Sequence, residues 1–332
     1  MLPAMKTLMQ CLVVLGMAVS VAAAEPRPAV LPIKPQALSP TIWYFEGASG
    51  MASRANRGFT SNAGFVVTRD GVVVFDALGT PALAEEMLRA IRAITPQPIR
   101  YLILSHYHAD HIYGAQVFKD AGAIIWARSE GRQYLASDLA QERLAQRRID
   151  LSPWVDERTR LLSADRWLDF SSAQSVPFDL GGMHFELVNG GDSHAPGDLM
   201  LWLPEQGTLF AGDLFFTGRL PYVVGGNTRE WLTALARIER SGARIVVPGH
   251  GPASTDVAQD LKVTRAYLEF LRAAMGAAVA NLQDFAEAYT AVDWSPFAGL
   301  PTFDVANRRN AYSVYLEMQA EALGGTSTRP GE

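Results

Sequence analysis

The stretch LILSHYHADHIYGA, residues 102–115, contains three of the six histidines of the 332-residue chain. An apolar run ends at Leu104 and predicts a buried strand, after which four side chains that commonly bind metals occur within six positions. In an extended segment, residues 106 and 108 point to the same side, so both imidazoles can reach one cation. The next two such residues lie one step further on and face away, as ligands of a second cation would. The sequence therefore predicts a metal site at His106, His108, Asp110 and His111.

Three more residues of the same chemistry occur at turns and strand ends further along the chain. His194 lies in the Gly-rich segment GGDSHAPGD, and Asp213 and His250 each end a predicted strand, in LFAGD and VPGHG. Strand ends in a layered α/β fold converge on a shared edge, so we expect these side chains to join the first cluster. The sixth histidine, His184, has a strand-interior context and is interpreted as structural.

The order of the predicted elements repeats in the two halves of the chain. Each half reads as a β-hairpin that ends in an aspartate (Asp76 or Asp213), then a helix, then a strand that ends in a histidine. This alternation indicates a layered α/β fold. Residues 129–149 are predicted to form one polar-faced helix, and residues 256–332 a helical extension packed on the same domain. Asp76 has two interpretations: it supports the metal site from below, or it caps the loop before the helix that begins at Thr80 and Pro81.

The N-terminal segment predicts export. Residues 1–24 combine an early lysine with an apolar stretch and small residues before Glu25, which is typical of a cleaved signal peptide. The apolar stretch is shorter than the ~20 residues that a membrane span needs, so we expect no stable membrane anchor after cleavage. A Pro-rich lead-in follows at 25–40. We therefore expect a periplasmic or secreted protein.

Charge and cysteine usage narrow the function classes. Cleavage would remove one lysine and no acid, which changes the net charge from −5 to −6, and this balance argues against nucleic-acid binding. The chain's single cysteine, Cys11, lies in the predicted signal peptide. Any metal in the mature protein must therefore be held by histidine and carboxylate.

With these motifs in this order, residues 41–255 resemble the metallo-β-lactamase superfamily. The resemblance implies a four-layer αββα sandwich of two similar halves and a site for two zinc ions per chain, with iron as the alternative metal. It implies that His106, His108 and His194 hold one ion, that Asp110, His111 and His250 hold the other, and that Asp213 bridges them. A metal-held hydroxide would attack a small-molecule substrate, and Asp110 would orient it as the catalytic residue.

The predicted reaction is cleavage of an acyl bond in an ester, lactone or thioester. The segments that flank the ligands contain no Lys or Arg to meet a phosphodiester, and they contain four aromatic residues suited to an apolar acyl group: Tyr107, Tyr113, Phe215 and Phe216. Candidate substrate contacts lie in the loop 47–60 and in 217–227, where Arg219 or Tyr222 could meet a substrate anion, although a packing role is equally compatible with the sequence. Three alternatives remain open: β-lactam hydrolysis, a mononuclear iron persulfide dioxygenase, and a non-catalytic zinc-binding protein.

Overall fold

A computed structural model describes residues 33–324, so the predicted signal peptide and the first half of the lead-in lie outside the described residues. The first half contains a seven-stranded sheet whose strands are adjacent in chain order. Its strands are β1 (Gln36–Ala37), β2 (Ile42–Phe45), β3 (Ala63–Thr68), β4 (Gly71–Phe75), β5 (Ile99–Ile103), β6 (Ile124–Arg128) and β7 (Arg166–Leu168). Strands β1 to β4 are antiparallel, and β4 to β7 run parallel.

The second half contains a five-stranded sheet in the order β12-β11-β10-β9-β8. Its strands are β8 (Ser175–Leu180), β9 (Met183–Gly191), β10 (Asp198–Leu203), β11 (Thr208–Phe216) and β12 (Ile245–His250). The pair β11 and β12 is parallel, and the other pairs are antiparallel. Each sheet thus combines hairpins with a helical crossover, as the repeated order of elements predicts.

Helices cover the outer face of each sheet. Those of the first half are α1 (Pro81–Ile94), α2 (Ala109–Ile112), α3 (Ala115–Asp120), α4 (Gly131–Leu135) and α5 (Asp138–Asp150). Those of the second half are α6 (Thr228–Arg240), α7 (Val257–Ala280), α8 (Phe285–Ala291) and α9 (Phe303–Ala322). Helix α1 begins as predicted, with Pro81 in its first turn and the Thr80 hydroxyl accepting from the Leu83 amide. Among the described residues, no helix is long and apolar enough to span a bilayer.

Three apolar cores separate the four layers. Alternate residues of β4 illustrate the division, because Val72 and Val74 pack toward the helices of the first half while Val73 and Phe75 pack between the two sheets. All five residues of β4 are buried. A third core joins the second sheet to α6, α7 and α9 and contains the fully buried Trp231. The chain is therefore the predicted αββα sandwich.

The structure differs from the sequence prediction at residues 129–149. Two helices, α4 and α5, replace the single predicted helix, because the Ser137 hydroxyl accepts a hydrogen bond from the Ala140 amide and starts a new helix there. Residues of α5, among them Arg143 and Arg147, line the same cavity as the predicted ligands Asp110, Asp213 and His250.

Candidate metal centre

The structure brings all seven predicted ligands together at one edge of the sandwich. His106 follows β5, the pair Asp110 and His111 lies in α2, and His194 lies in the turn between β9 and β10. Asp213 belongs to β11, and His250 ends β12. The donor atoms form two groups, each within 4.8 Å: His106, His108, His194 and Asp213 in one, and Asp110, His111 and His250 in the other.

The carboxylate of Asp213 connects the two groups. Its Oδ2 lies 3.2 Å from Nε2 of His194 and 3.3 Å from Nε2 of His250, while its Oδ1 lies 3.2 Å from Nε2 of His111. One carboxylate thus faces histidines of both groups, which is the arrangement that the bridging role of Asp213 requires.

Four of the imidazoles turn Nε2 inward because a fixed partner holds Nδ1. Backbone carbonyl oxygens face two of them: that of Tyr222 lies 3.0 Å from Nδ1 of His194, and that of Thr60 lies 2.6 Å from Nδ1 of His250. A carbonyl can only accept, so each of these imidazoles carries its hydrogen on Nδ1 and leaves the Nε2 lone pair free for a cation. His108 differs, because its Nδ1 faces the cluster, 2.9 Å from Nε2 of His194.

Asp76 lies directly beneath the cluster, which decides between its two predicted roles. Its Oδ2 accepts from Nδ1 of His111 at 2.8 Å and from the Ser105 hydroxyl at 2.8 Å, and its Oδ1 accepts from the Ser105 amide at 2.7 Å. The same hydroxyl lies 2.8 Å from Nδ1 of His106. Asp76 therefore supports the metal site by orienting two of its imidazoles.

Unsatisfied buried atoms at the centre of the cluster fit a metal pair. Nε2 of His106, Nε2 of His111 and Oδ1 of Asp213 are buried and form no hydrogen bond among the described residues. Buried polar atoms normally have a hydrogen-bond partner, so three unsatisfied atoms in one cluster of metal-binding side chains indicate that a bound cation is their partner. The glycine at position 249 leaves the space that the Asp213 carboxylate occupies, because a Cβ at Gly249 would lie 1.8 Å from Oδ1 of Asp213. The donor set contains imidazoles and carboxylates only, which suits zinc.

The protonation preferences of His106, His194 and Asp110 favour cation binding, whereas His111 has to release a proton before it can bind a cation. Burial and the neighbouring histidines hold the pKa of His106 well below its usual range, and burial lowers the pKa of His194 to about 4. Burial alone would lower the pKa of His111, but the carboxylates of Asp213, Asp76 and Asp110 raise it well above the usual range. Burial would raise the pKa of Asp110, yet the adjacent His111 and His250 lower it to about 2. Neutral imidazoles and ionised carboxylates are the forms that bind metals.

Four of the seven ligands, His108, Asp110, Asp213 and His250, line a cavity of about 520 Å³. The predicted loop contributes Gly50, Met51, Ala52, Gly58 and Thr60, and both Arg219 and Tyr222 line the cavity as predicted. Of the four aromatic residues assigned to an acyl pocket, only Tyr113 lines it. Tyr107 stacks on Trp167, Phe215 belongs to the outer core of the second half, and Phe216 stacks on the ring of His250. The predicted aromatic acyl pocket is therefore wrong for these three residues.

The predicted lack of basic residues around the site is also wrong. Arg143 and Arg147 of α5 and Arg309 of α9 line the cavity together with Arg219. Arg143, Arg147 and Arg309 lie outside the segments that flank the ligands, on helices that are distant in the sequence. A usable signal was present in the sequence, since residues 143 and 147 are four apart and share one helix face.

The C-terminal helix α9 also supports the metal site through Asn310. Its side chain accepts from the Val223 amide at 2.9 Å and donates to the Pro221 carbonyl at 2.8 Å. Between these two residues lies Tyr222, whose carbonyl orients His194. This support was not predicted from the sequence.

His184 lies outside the cluster, as predicted. It belongs to β9 and its Nδ1 lies 2.8 Å from a carboxylate oxygen of Asp179 on the neighbouring strand β8. This cross-strand hydrogen bond raises the pKa of His184.

Comparison with known proteins agrees with this architecture. Residues 56–250 match the family model described as the metallo-beta-lactamase superfamily. The chain is 27% identical over 183 residues to the 2,4-dinitroanisole O-demethylase subunit alpha of Nocardioides sp. (strain JS1661), which covers 54% of this chain and 49% of that protein. It is 26% identical over 196 residues to the metallo-beta-lactamase type 2 of Bacillus cereus, which covers 58% of this chain and 67% of that enzyme. The chain thus spans about half the length of the first relative.

Among solved structures, the stereoselective inverting sec-alkylsulfatase Pisa1 from Pseudomonas sp. superimposes with a TM-score of 0.67. The two sequences are 17% identical, and the match covers 89% of this chain and 55% of that one. The likeness extends over most of the chain and is one of fold.

Proposed function

The chain belongs to the metallo-beta-lactamase superfamily, and we propose that it is an exported zinc hydrolase with two metal ions that cleaves an acyl bond in an ester, lactone or thioester. One observation carries the proposal: seven residues with nitrogen and oxygen donors come together, three of them have unsatisfied buried atoms, and four of them line a cavity. When bound, a zinc pair supplies an activated water as nucleophile and polarises the bond under attack.

The chain's own residues orient the groups that react. Asp110 is the most exposed of the acidic ligands, with 30% of its side chain accessible, and its Oδ2 lies 3.4 Å from Nε2 of His250. Because its pKa is held at about 2, the carboxylate is ionised at neutral pH. It can accept a hydrogen bond from an entering water and so orient that water toward the substrate. Asp76, Ser105 and the carbonyls of Thr60 and Tyr222 fix the imidazoles around it.

Sulfate-ester hydrolysis is a second candidate, and the four cavity arginines favour it. An alkyl sulfate has a permanent negative charge that a neutral ester lacks, and guanidinium groups bind such oxyanions. The sec-alkylsulfatase shares only the fold with this chain, so the arginines alone carry this candidate.

Metal analysis and a substrate panel test the proposal. We expect close to two zinc ions per purified chain, and turnover of an aryl ester, a lactone or a thioester that stops when a chelator removes the metal. The panel also contains an aryl sulfate, a β-lactam and an aryl phosphodiester. A kcat/KM for the sulfate above all acyl substrates would establish the second candidate. One iron and no zinc would favour the dioxygenase alternative, and two zinc ions without turnover of any substrate would favour a non-catalytic zinc-binding protein.

Export has a separate test. N-terminal sequencing of material from the periplasm or medium should begin at or near Glu25. Recovery of the uncleaved chain from membranes alone would contradict the predicted signal peptide.

A further inference from the structure

Arg219 is a buried cation at the edge of the metal cluster. It follows β11 by three residues, only 6% of its surface is exposed, and it lines the cavity beside Asp110, Asp213 and His250. Buried arginines are normally paired with a carboxylate or engaged in several hydrogen bonds. The partners of this guanidinium therefore decide what it does.

The one recorded partner of Arg219 cannot serve as its acceptor. Nη1 lies 3.2 Å from Nδ1 of His250, but this Nδ1 also lies 2.6 Å from the carbonyl oxygen of Thr60. Since the carbonyl can only accept, the single hydrogen on Nδ1 points to Thr60, and no lone pair remains on Nδ1 for Arg219. Nε of Arg219 is buried without any hydrogen-bond partner, and within residues 33–324 no carboxylate oxygen lies within 4.0 Å of this guanidinium.

The nearby aspartates do not compensate this charge. Asp110 and Asp213 attract Arg219 over a longer distance, but both are ligands of the metal centre and would share their charge with the bound cations. A guanidinium in this position, beside a cation site and without an acceptor, is costly to bury unless a further anion binds there. Its planar fork of N–H groups fits the paired oxygens of a carboxylate or sulfate.

The outer part of the cavity contains both basic and acidic side chains. Arg143, Arg147 and Arg309 line it, while Glu142 and Asp150 lie among them. Arg147 is 3.9 Å from the carboxylate of Asp150, both on the partly exposed rim. The rim is thus of mixed charge and can steer a charged substrate only weakly. Arg219 is the cavity arginine that is both buried and without a carboxylate partner.

We propose that Arg219 binds an oxyanion of the substrate, a carboxylate or a sulfate group, next to the bond that the metal centre cleaves. The proposal rests on the hydrolytic function proposed above for the position of that bond. Binding of the anion itself is a property of Arg219 that can be measured without turnover.

Sulfate binding to the purified metal-containing protein tests the anion site directly. We expect sulfate to raise the thermal unfolding temperature of the wild type. The apparent Kd for sulfate should rise at least tenfold in R219M. It should rise less in R219K, because lysine keeps the positive charge but lacks the planar fork of guanidinium N–H groups. Arg308, which stacks on Phe285 and Tyr289 of the C-terminal helices, provides the matched control, and R308M should bind sulfate like the wild type. Metal content is measured in every variant so that metal loss is not mistaken for anion loss.

The stability of R219M separates binding from packing. Without sulfate, R219M should unfold at the same temperature as the wild type or higher, because the variant no longer buries an unpaired charge. A purely structural arginine would instead give a lower unfolding temperature in both R219M and R219K. That result, or sulfate affinity equal to the wild type in R219M, would overturn the proposal.

A kinetic comparison assigns the anion to the substrate. Three substrates share one aryl leaving group: an acetate without charge, a hemisuccinate with a terminal carboxylate, and a sulfate. R219M should raise KM at least tenfold for a charged substrate that the wild type hydrolyses and leave KM for the acetate within twofold. Equal KM changes for all three would contradict the inference. If the wild type hydrolyses none of them, the proposed function fails, while the loss of sulfate binding in R219M would still support the anion site.

Discussion

Replacement of Asn310 by alanine should weaken metal binding although Asn310 touches no metal ligand. Asn310 holds the segment from Pro221 to Val223 through two buried hydrogen bonds, and the carbonyl between them orients His194. Loss of the amide leaves the Val223 N–H and the Pro221 carbonyl unsatisfied. At about 1–3 kcal/mol for each buried group, N310A should lower the free energy of unfolding by about 2–6 kcal/mol.

The effect on the metal follows from the freedom that His194 gains. Loss of a hydrogen-bond partner that orients a metal-binding histidine typically weakens metal affinity about 10–100-fold. We expect N310A to lose that much affinity for the ion held by His194, while the ion near His250 is less affected. A zinc titration against a chromophoric chelator measures both binding steps, and chemical denaturation measures the stability.

Asn307 provides the matched control on the same helix. It is equally buried, accepts from the Tyr267 hydroxyl at 2.8 Å and donates to the Tyr289 hydroxyl at 3.1 Å. Its side chain makes no direct hydrogen bond to the 221–223 segment among the described residues, and it is connected to Asn310 through the Tyr267 hydroxyl, which accepts from Asn310 at 3.1 Å. N307A should therefore lose comparable stability and keep zinc affinity within threefold of the wild type. Equal zinc affinities in N310A and the wild type would refute the reasoning, and so would equal losses in N310A and N307A.

Three other perturbations have defined outcomes. D213A should lower metal content and activity together, because both ligand groups lose a shared carboxylate. H184A should keep its metal. Elemental analysis that shows equal metal losses in the two variants would mean that the ligand set is misassigned. G249A should also lower zinc content, because the new Cβ would occupy the space of Oδ1 of Asp213, and a G249A protein with full zinc content would contradict this packing. Burial raises the folded-state pKa of Glu317 above its ordinary value of 4.5, so its contribution to stability is fully present below about pH 4.5 and is lost as the pH rises through the raised pKa. Denaturation between pH 4 and 7 should show wild-type stability falling relative to E317Q, and a constant difference would contradict the shift.

The sequence determines the metal ligands because each of them lies at a place that local patterns identify. His106 follows a buried parallel strand by three residues and His250 ends another, and the carboxyl ends of such strands share an edge in α/β folds. The hairpin of β3 and β4 and the start of α1 likewise follow from short-range turn and capping rules. These elements depend on neighbours within a few residues, and the structure confirms the predicted fold.

The surroundings of the ligands depend on long-range packing, which local patterns do not encode. Arg143 reaches the cavity because a serine cap splits one predicted helix into two, and Arg309 reaches it from almost 60 residues beyond His250. The segments that flank the ligands therefore contain no positive charge, although four arginines line the cavity. The error in the predicted substrate environment comes from tertiary structure and not from the ligand motif.

Charge balance connects the metal centre with the substrate that it can accept. Two divalent ions would bring four positive charges to a site whose closest carboxylates are Asp110, Asp213 and Asp76, and Arg219 adds a fifth. The buried site would then hold more positive than negative charge, which burial penalises strongly. A negatively charged substrate group reduces this excess, and so does the negative charge that develops on an ester oxygen during attack. A neutral acyl substrate reduces the excess positive charge only through the charge that develops during attack. A substrate with its own oxyanion reduces this excess both when it binds and during attack, so the site favours a substrate that has a negatively charged group.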